Sequence, residues 1–193
     1  MSKKYFLTLL LFGISLVGSA QIMLPAFHGG VSTPSNNLQI GTQALMTKNL
    51  EVATYRNGDP ISQVTDPTAW AGLTTGAWCY YDNSTANGAI YGKLYNWYAV
   101  SDLRGLAPVG WHIPTDAEWT TLGNFLGGDD VAGAKLKEVG TLTWRSPNTN
   151  ATNESGFSGL PGGNRSDLNT TPPYYTDSFN GVGDYGLWWS ASA

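Results

Sequence analysis

Cysteine and histidine, the side chains that build most zinc sites and many catalytic centres, are scarce in this chain. Its 193 residues include one cysteine, Cys79, and two histidines, His28 and His112. One cysteine excludes a disulfide within the chain, and so few thiols and imidazoles argue against a zinc site. We therefore expect no metal and no cofactor. Cys79 is predicted to be buried, to pair with a second chain, or to have a partner outside this sequence.

Charged residues are also few, and basic ones are fewer than acidic ones. Asp, Glu, Lys and Arg make up 12% of the chain, and its net charge is −4. Nucleic-acid binding needs a basic surface that neutralises phosphates, and an anionic membrane attracts a basic amphipathic face. This composition supplies neither. We therefore predict no nucleic-acid partner.

The N-terminus has the layout of a secretory signal peptide. Two lysines precede an almost unbroken apolar run over residues 5–17, and the small residues Gly18 and Ala20 mark a cleavage point. The run is shorter than the roughly 20 residues that span a bilayer, although a retained anchor is the alternative. We predict that residues 1–20 are removed on export, that no stable membrane span remains, and that the product is secreted or held at the cell surface.

Aromatic residues and glycine are what the remainder has in abundance. The chain contains 24 Gly, 10 Tyr and 8 Trp, and every tryptophan lies after residue 69. Each buried aromatic side chain removes about 150–250 Å² from water, so an aromatic core with many turns is expected. An exposed aromatic would instead offer a stacking surface for sugar rings. Residues 21–37, rich in Pro, Gly, Ser and Asn, are predicted to be a linker or loose segment before one domain over residues 38–193.

The clearest local signal predicts a helix that begins after Thr115. Thr115 and Glu118 have the S/T-x-x-E spacing of a capping box. Apolar residues then recur on one helical face over residues 119–126, and Gly127 ends the pattern. A second short helix is expected over residues 129–138, capped by one of its two leading aspartates.

Six segments occur in the order that they have in a known family: 46–50 (MTKNL), 54–59 (TYRNGD), 92–97 (GKLYNW), 110–119 (GWHIPTDAEW), 156–163 (GFSGLPGG) and 188–190 (WWS). With these segments, the region 38–193 resembles the Fibrobacter succinogenes major paralogous domain, which is widespread in exported bacterial proteins. More distantly, the IPTDAEW run is similar to the L-P-T-E-A-E-W segment of the formylglycine-generating-enzyme group, which has a C-type-lectin-like fold.

The resemblance implies an α+β, C-type-lectin-like fold, with two short helices packed on irregular antiparallel sheets and with long loops. The chain departs from the family at two points. Leu45 stands where the family usually has Trp, and the family continues past W-W-S to a G-F-x-x-R-C motif. The resemblance therefore implies a domain that is incomplete at its C-terminus, and a cysteine beyond it as a partner for Cys79.

The residues give little support for catalysis. The formylglycine-generating enzymes use active-site cysteines that this chain lacks, so their activity does not carry over. Asp116 and Glu118 are spaced i, i+2 and would point apart on a helix, and capping explains Glu118 better. His112 is interpreted as a loop or core histidine. No EF-hand spacing is present. We predict no catalytic residues.

An exported or cell-surface binding module is therefore the expected function, with an extracellular glycan or protein as ligand. The loop-rich part from about residue 148 to 185 is the candidate surface, and Tyr174, Tyr175, Trp188 and Trp189 are the candidate contacts. Two alternatives stay open: a structural or adhesive surface protein without a small ligand, and a hydrolase with an unrecognised site. The sequence predicts no particular oligomeric state.

Overall fold

A computed structural model of the chain describes residues 37–166 and 178–192. The predicted signal peptide, nearly all of the predicted linker and His28 lie outside the described residues, and so do Tyr174 and Tyr175. The strands within the described ranges are β1 (Asn37–Ile40), β2 (Gln43–Met46), β3 (Ser62–Gln63), β4 (Ala77–Cys79), β5 (Leu94–Tyr95), β6 (Gly162–Ser166) and β7 (Ser178–Val182). The α-helices are α1 (Pro67–Ala71), α2 (Thr85–Tyr91), α3 (Trp97–Val100), α4 (Asp116–Phe125) and α5 (Asp129–Leu136), and Tyr81–Asn83 form one 3₁₀ turn.

The strands form small sheets rather than one large one. β1 and β2 make an antiparallel hairpin, and β6 and β7 make another. β4 is the centre of a three-stranded sheet, in which β3 is parallel and β5 antiparallel to it. The α+β class predicted from the sequence is thus confirmed. No helix in the two described ranges has the length and apolar character needed to cross a bilayer.

The number of helices differs from the two that the family resemblance implies, although the sequence at Asp66-Pro67 itself predicts the start of α1, with Asp66 as its N-cap. Three further helices of four to seven residues are present in the described ranges, and each begins at a side-chain cap: Asp66 for α1, Ser84 for α2 and Asn96 for α3. Such short helices bury too few apolar positions to give a clear 3.6-residue pattern. Their caps satisfy backbone N–H groups that would otherwise lack partners.

The predicted capping box at α4 is confirmed. The Glu118 backbone N–H donates to the Thr115 hydroxyl at 3.3 Å, and the Thr115 N–H donates to the Glu118 carboxylate at 2.8 Å. The prediction for the next helix was less accurate. Gly128, and not an aspartate, is the N-cap of α5. Its φ of +98° is accessible to glycine without strain.

Aromatic residues build the core, as predicted. Six of the eight tryptophans are buried. The larger cluster surrounds the three-stranded sheet and includes Trp70, Trp78 and Trp189. A smaller cluster lies between α4, α5 and the β1–β2 hairpin, around Trp119 and Phe157. The two clusters together form the hydrophobic core of the described part of the domain.

Candidate ligand-binding site

A long connection between α5 and β6, residues 137–161, contains no helix and no strand beyond an isolated bridge. A buried side chain fixes its middle, because the Trp144 indole N–H donates to the Gly159 carbonyl at 3.0 Å. The Lys137 ammonium group lies 4.4 Å from the centre of the Trp144 ring, a cation–π distance. The Asn148 side-chain N–H₂ closes the tip by donating to the carbonyls of Glu138 and Gly140, both at 2.8 Å.

The second half of this connection is fixed in the same way. Asn153 and Ser158 exchange two hydrogen bonds of 2.8 Å. The Ser155 hydroxyl donates to the carbonyl of Lys135 in α5 at 2.7 Å. Side chains of the loop thus form hydrogen bonds with backbone groups that have no partner in a β-sheet. These hydrogen bonds hold the connection in place, although it lacks regular secondary structure.

The turn that follows β7 joins this loop. The Arg145 N–H donates to the Gly183 carbonyl at 2.7 Å, and the Arg145 guanidinium lies 2.6 Å from the Asp184 carboxylate. Both side chains are well exposed, so the ion pair contributes at most about 1 kcal/mol to stability. Its main consequence is geometric, because it holds loop and turn side by side. We call residues 137–161 and 181–185 together the loop face.

Tyr185 lies in the loop face, over the backbone of Gly181. A Cβ atom on Gly181 would lie 2.0 Å from Cζ of the Tyr185 ring. The Tyr185 hydroxyl donates to Oδ1 of Asn164 at 2.9 Å. Burial, followed by the nearby Tyr81 and Asp184, raises the pKa of Tyr185 above its usual value. Tyr185 is therefore a neutral hydrogen-bonding group at neutral pH.

Asn164, in β6, is a fully buried polar residue beneath this face. It is 0% exposed, and its Nδ2 has no hydrogen-bond partner in the part of the chain that the structure describes. A buried polar group left unsatisfied costs about 1–3 kcal/mol. Native proteins keep few such groups, and each one requires an explanation.

A second group of polar residues lies at the start of α4. His112 Nε2 is 2.7 Å from Glu118 Oε1, while the Thr115 N–H and hydroxyl donate to Oε2 at 2.8 Å each. Burial would raise the pKa of Glu118, but the hydrogen bonds from Thr115 and His112 outweigh it and hold that pKa below its usual value. Because an ionised carboxylate accepts only, the proton shared by this pair is assigned to His112 Nε2.

The motifs of the sequence analysis identify the family. A model of the Fibrobacter succinogenes major domain matches residues 38–193. The chain belongs to this family. Searches of curated proteins and of solved structures found no match.

Two of the six family motifs place residues at the sites described above. In this Fibrobacter succinogenes major domain, the segment 110–119 contains both His112 and Glu118. The segment 156–163 carries Gly159, whose carbonyl accepts from Trp144. The family match thus covers the loop 137–161 together with its anchors.

The structure separates the two adjacent tryptophans of the W-W-S motif. Trp189 is 2% exposed, and its indole N–H donates to the Tyr95 carbonyl at 2.8 Å. It is a core residue whose ring is closed to a ligand, unlike our expectation of a surface contact. Neighbours in an extended chain point to opposite sides, so Trp188 faces the smaller cluster. Trp188 is half-buried, donates to Asn49 Oδ1 at 3.1 Å and packs against Phe157.

Tyr185 and Asn164 are not among the contacts predicted from the sequence, although both lie in the range 148–185. Nothing local to Asn164 marks it as buried, since it follows two glycines in a polar stretch. The contact between His112 and Glu118 was also missed, because the capping box explained Glu118 alone. Within the described ranges, no three His, Cys, Asp or Glu side chains are grouped to hold a metal ion.

Proposed function

We propose that this domain is an exported or cell-surface binding module that contacts a carbohydrate or protein ligand with its loop face. The observation that carries this proposal is the long loop 137–161, which its own side-chain hydrogen bonds hold in place. Loops longer than about 12–15 residues without secondary structure are uncommon in compact domains and are usually functional. A rigid loop loses little entropy when it binds, which favours recognition.

The finer fold assignment belongs to the same proposal. Two helices, α4 and α5, pack beside the antiparallel β1–β2 hairpin, and long loops connect the other elements. This arrangement supports a C-type-lectin-like fold, a scaffold on which loops carry ligand contacts. Since function does not follow from fold alone, the loop face and not the scaffold is the basis of the proposal.

Two leucines allow a matched test for a protein ligand. Leu142 lies in the loop face and Leu103 lies in another loop, and each is essentially fully exposed, at 102% and 104%. A charge at either position leaves the core intact. If a protein binds the loop face, Leu142→Glu should weaken binding at least about tenfold, the loss expected for an apolar contact, while Leu103→Glu should not.

The experiment is a glycan array and a panel of extracellular proteins, probed with the exported chain in the presence and absence of calcium. Binding to members of either panel, weakened by changes in the loop face, is the expected result. Silence on both panels would contradict the binding proposal and leave the structural or adhesive alternative. Binding that Leu103→Glu and Leu142→Glu weaken equally would also contradict it, because the loop face would then have no special part.

The His112–Glu118 contact is the one observation that favours the hydrolase alternative. A carboxylate that orients an imidazole is two-thirds of a hydrolytic triad. Yet no hydroxyl or thiol among the described residues hydrogen-bonds to His112, and Thr115 occupies the second oxygen of Glu118. Turnover that His112→Ala abolishes in a folded protein would support this alternative, and absence of turnover on a panel of ester and glycoside substrates would remove it.

A further inference from the structure

We infer that Asn164 and Tyr185 form a subsite for a neutral carbohydrate on the loop face. This inference rests on the proposed binding function and narrows its ligand class. Four features carry it: the buried amide of Asn164, the half-buried Tyr185 beside it, the polar side chains on the same face of the β6–β7 hairpin, and the charge balance near them.

In the Asn164 side-chain amide, the oxygen is hydrogen-bonded and the nitrogen is not. Oδ1 accepts from the Tyr185 hydroxyl at 2.9 Å, whereas Nδ2 has no partner among the described residues. A sugar hydroxyl can accept from such an N–H₂ group, because a hydroxyl both donates and accepts. A ligand oxygen at this position would satisfy a donor that is otherwise costly to bury.

Tyr185 lies directly against that amide. Its ring lies against the Gly181 backbone, and the residue as a whole is half-buried. Because the hydroxyl uses its proton on Asn164, its lone pairs remain able to accept from a ligand hydroxyl. Because Asn164 is 0% exposed, access to Nδ2 requires the Tyr185 ring to tilt on Gly181 while its hydroxyl keeps the hydrogen bond to Asn164 Oδ1. The ring would then offer an apolar face for the C–H groups of a sugar.

The neighbouring positions of the hairpin are polar. Asn164 stands opposite Asn180 in the β6–β7 register, and paired residues of an antiparallel sheet point to the same face. The Asn180 side chain is exposed and donates to the Ser166 hydroxyl at 3.4 Å. Amide and hydroxyl groups in a row suit a ligand with several hydroxyls better than an apolar one.

The charges beside Tyr185 favour a neutral ligand. Arg145 and Asp184 lie in the same loop face and neutralise each other across 2.6 Å. An anionic sugar would have to compete with Asp184 for the guanidinium group. A neutral sugar can bind without breaking this ion pair.

Removal of one oxygen atom tests the subsite. Tyr185→Phe keeps the ring on Gly181 and removes the hydroxyl that bonds to Asn164. Tyr98→Phe is the matched control, since Tyr98 is 41% exposed and belongs to α3, which is not part of the loop face. The affinity of the full chain for neutral and sulfated glycans is measured by array and by titration calorimetry, with thermal unfolding to check the fold. We expect about a tenfold loss for Tyr185→Phe, the effect of one hydrogen bond, and none for Tyr98→Phe.

Asn164→Leu provides a second variant, similar in size and without polar atoms. If it folds, neutral glycan binding should fall further than in Tyr185→Phe. Glycan binding that neither Tyr185→Phe nor Asn164→Leu changes would overturn the subsite and leave the binding function intact. So would binding to proteins alone, or a preference for sulfated glycans. A wild-type chain that binds neither panel would remove the proposed function, and the subsite with it.

Discussion

At the scale of single residues, two glycines with positive φ differ in what surrounds them. Gly58 has φ +93° and nothing within 4 Å of a Cβ position, whereas Gly181 has φ +75° and the Tyr185 ring in that position. Gly58→Ala should cost about 1–2 kcal/mol, the penalty of a left-handed conformation. Gly181→Ala should cost about 1–3 kcal/mol more, because the added methyl group displaces Tyr185. Urea denaturation of both variants measures the difference, and equal losses would show that Tyr185 does not rest on Gly181.

Glu118 should make stability depend on pH. The hydrogen bonds from Thr115 and His112 lower its pKa in the folded state, below the ordinary value of 4.5. A group with a depressed folded pKa stabilises the protein above its unfolded pKa, and this contribution disappears as pH falls through the folded pKa. Glu118→Gln should thus cost about 1 kcal/mol at pH 7 and progressively less below about pH 4.5.

The measurement for Glu118 is urea unfolding of wild type and variant between pH 7 and pH 3. Glu154→Gln, at an exposed glutamate of the loop, is the control and should change stability little at any pH. A constant difference between wild type and Glu118→Gln across this range would contradict the prediction.

At the scale of elements, helix α4 and the loop 137–161 owe their order to different sources. The capping box and the apolar face of α4 are local, so its start was predictable from ten residues of sequence. The loop depends on distant partners. Trp144 reaches Gly159, and Arg145 reaches Asp184, 39 residues away. Contacts between residues far apart in the sequence leave no periodic pattern. The sequence therefore predicted that a loop is present but not the hydrogen bonds that hold it in place. For the same reason it missed the pairing of Tyr185 with Asn164.

Trp144→Phe should loosen the loop and leave α4 unchanged. The substitution keeps an aromatic ring in the site but removes the indole N–H that donates to Gly159, and it weakens the cation–π contact with Lys137. We expect faster hydrogen exchange over residues 137–161, because local opening becomes easier. Exchange in α4, read from the same digest, is the internal reference. Equal acceleration in both elements would indicate a general loss of stability instead.

At the scale of the whole molecule, tryptophan side chains connect the two hydrophobic clusters. Trp119, in the smaller cluster, donates to the carbonyl of Trp189, which belongs to the larger one, at 3.2 Å. Trp188 and Trp189 lie next to each other in the chain and pack against different clusters. The two clusters are therefore connected in two ways, by the peptide bond between Trp188 and Trp189 and by the hydrogen bond from Trp119. We expect them to unfold together, as small domains usually do.

The reactivity of the Cys79 thiol toward a labelling reagent can be used to measure that unfolding. It is 0% exposed in β4, within the larger cluster. Of the possibilities that the sequence left open, burial is confirmed, and a disulfide to a second chain would require the core to open first. A thiol reagent should therefore label Cys79 only as fast as the domain unfolds. Mass spectrometry of alkylated protein across a urea series should give the same midpoint as tryptophan fluorescence. Rapid labelling of the native protein would show that the β3–β4–β5 sheet opens on its own, independently of the smaller cluster.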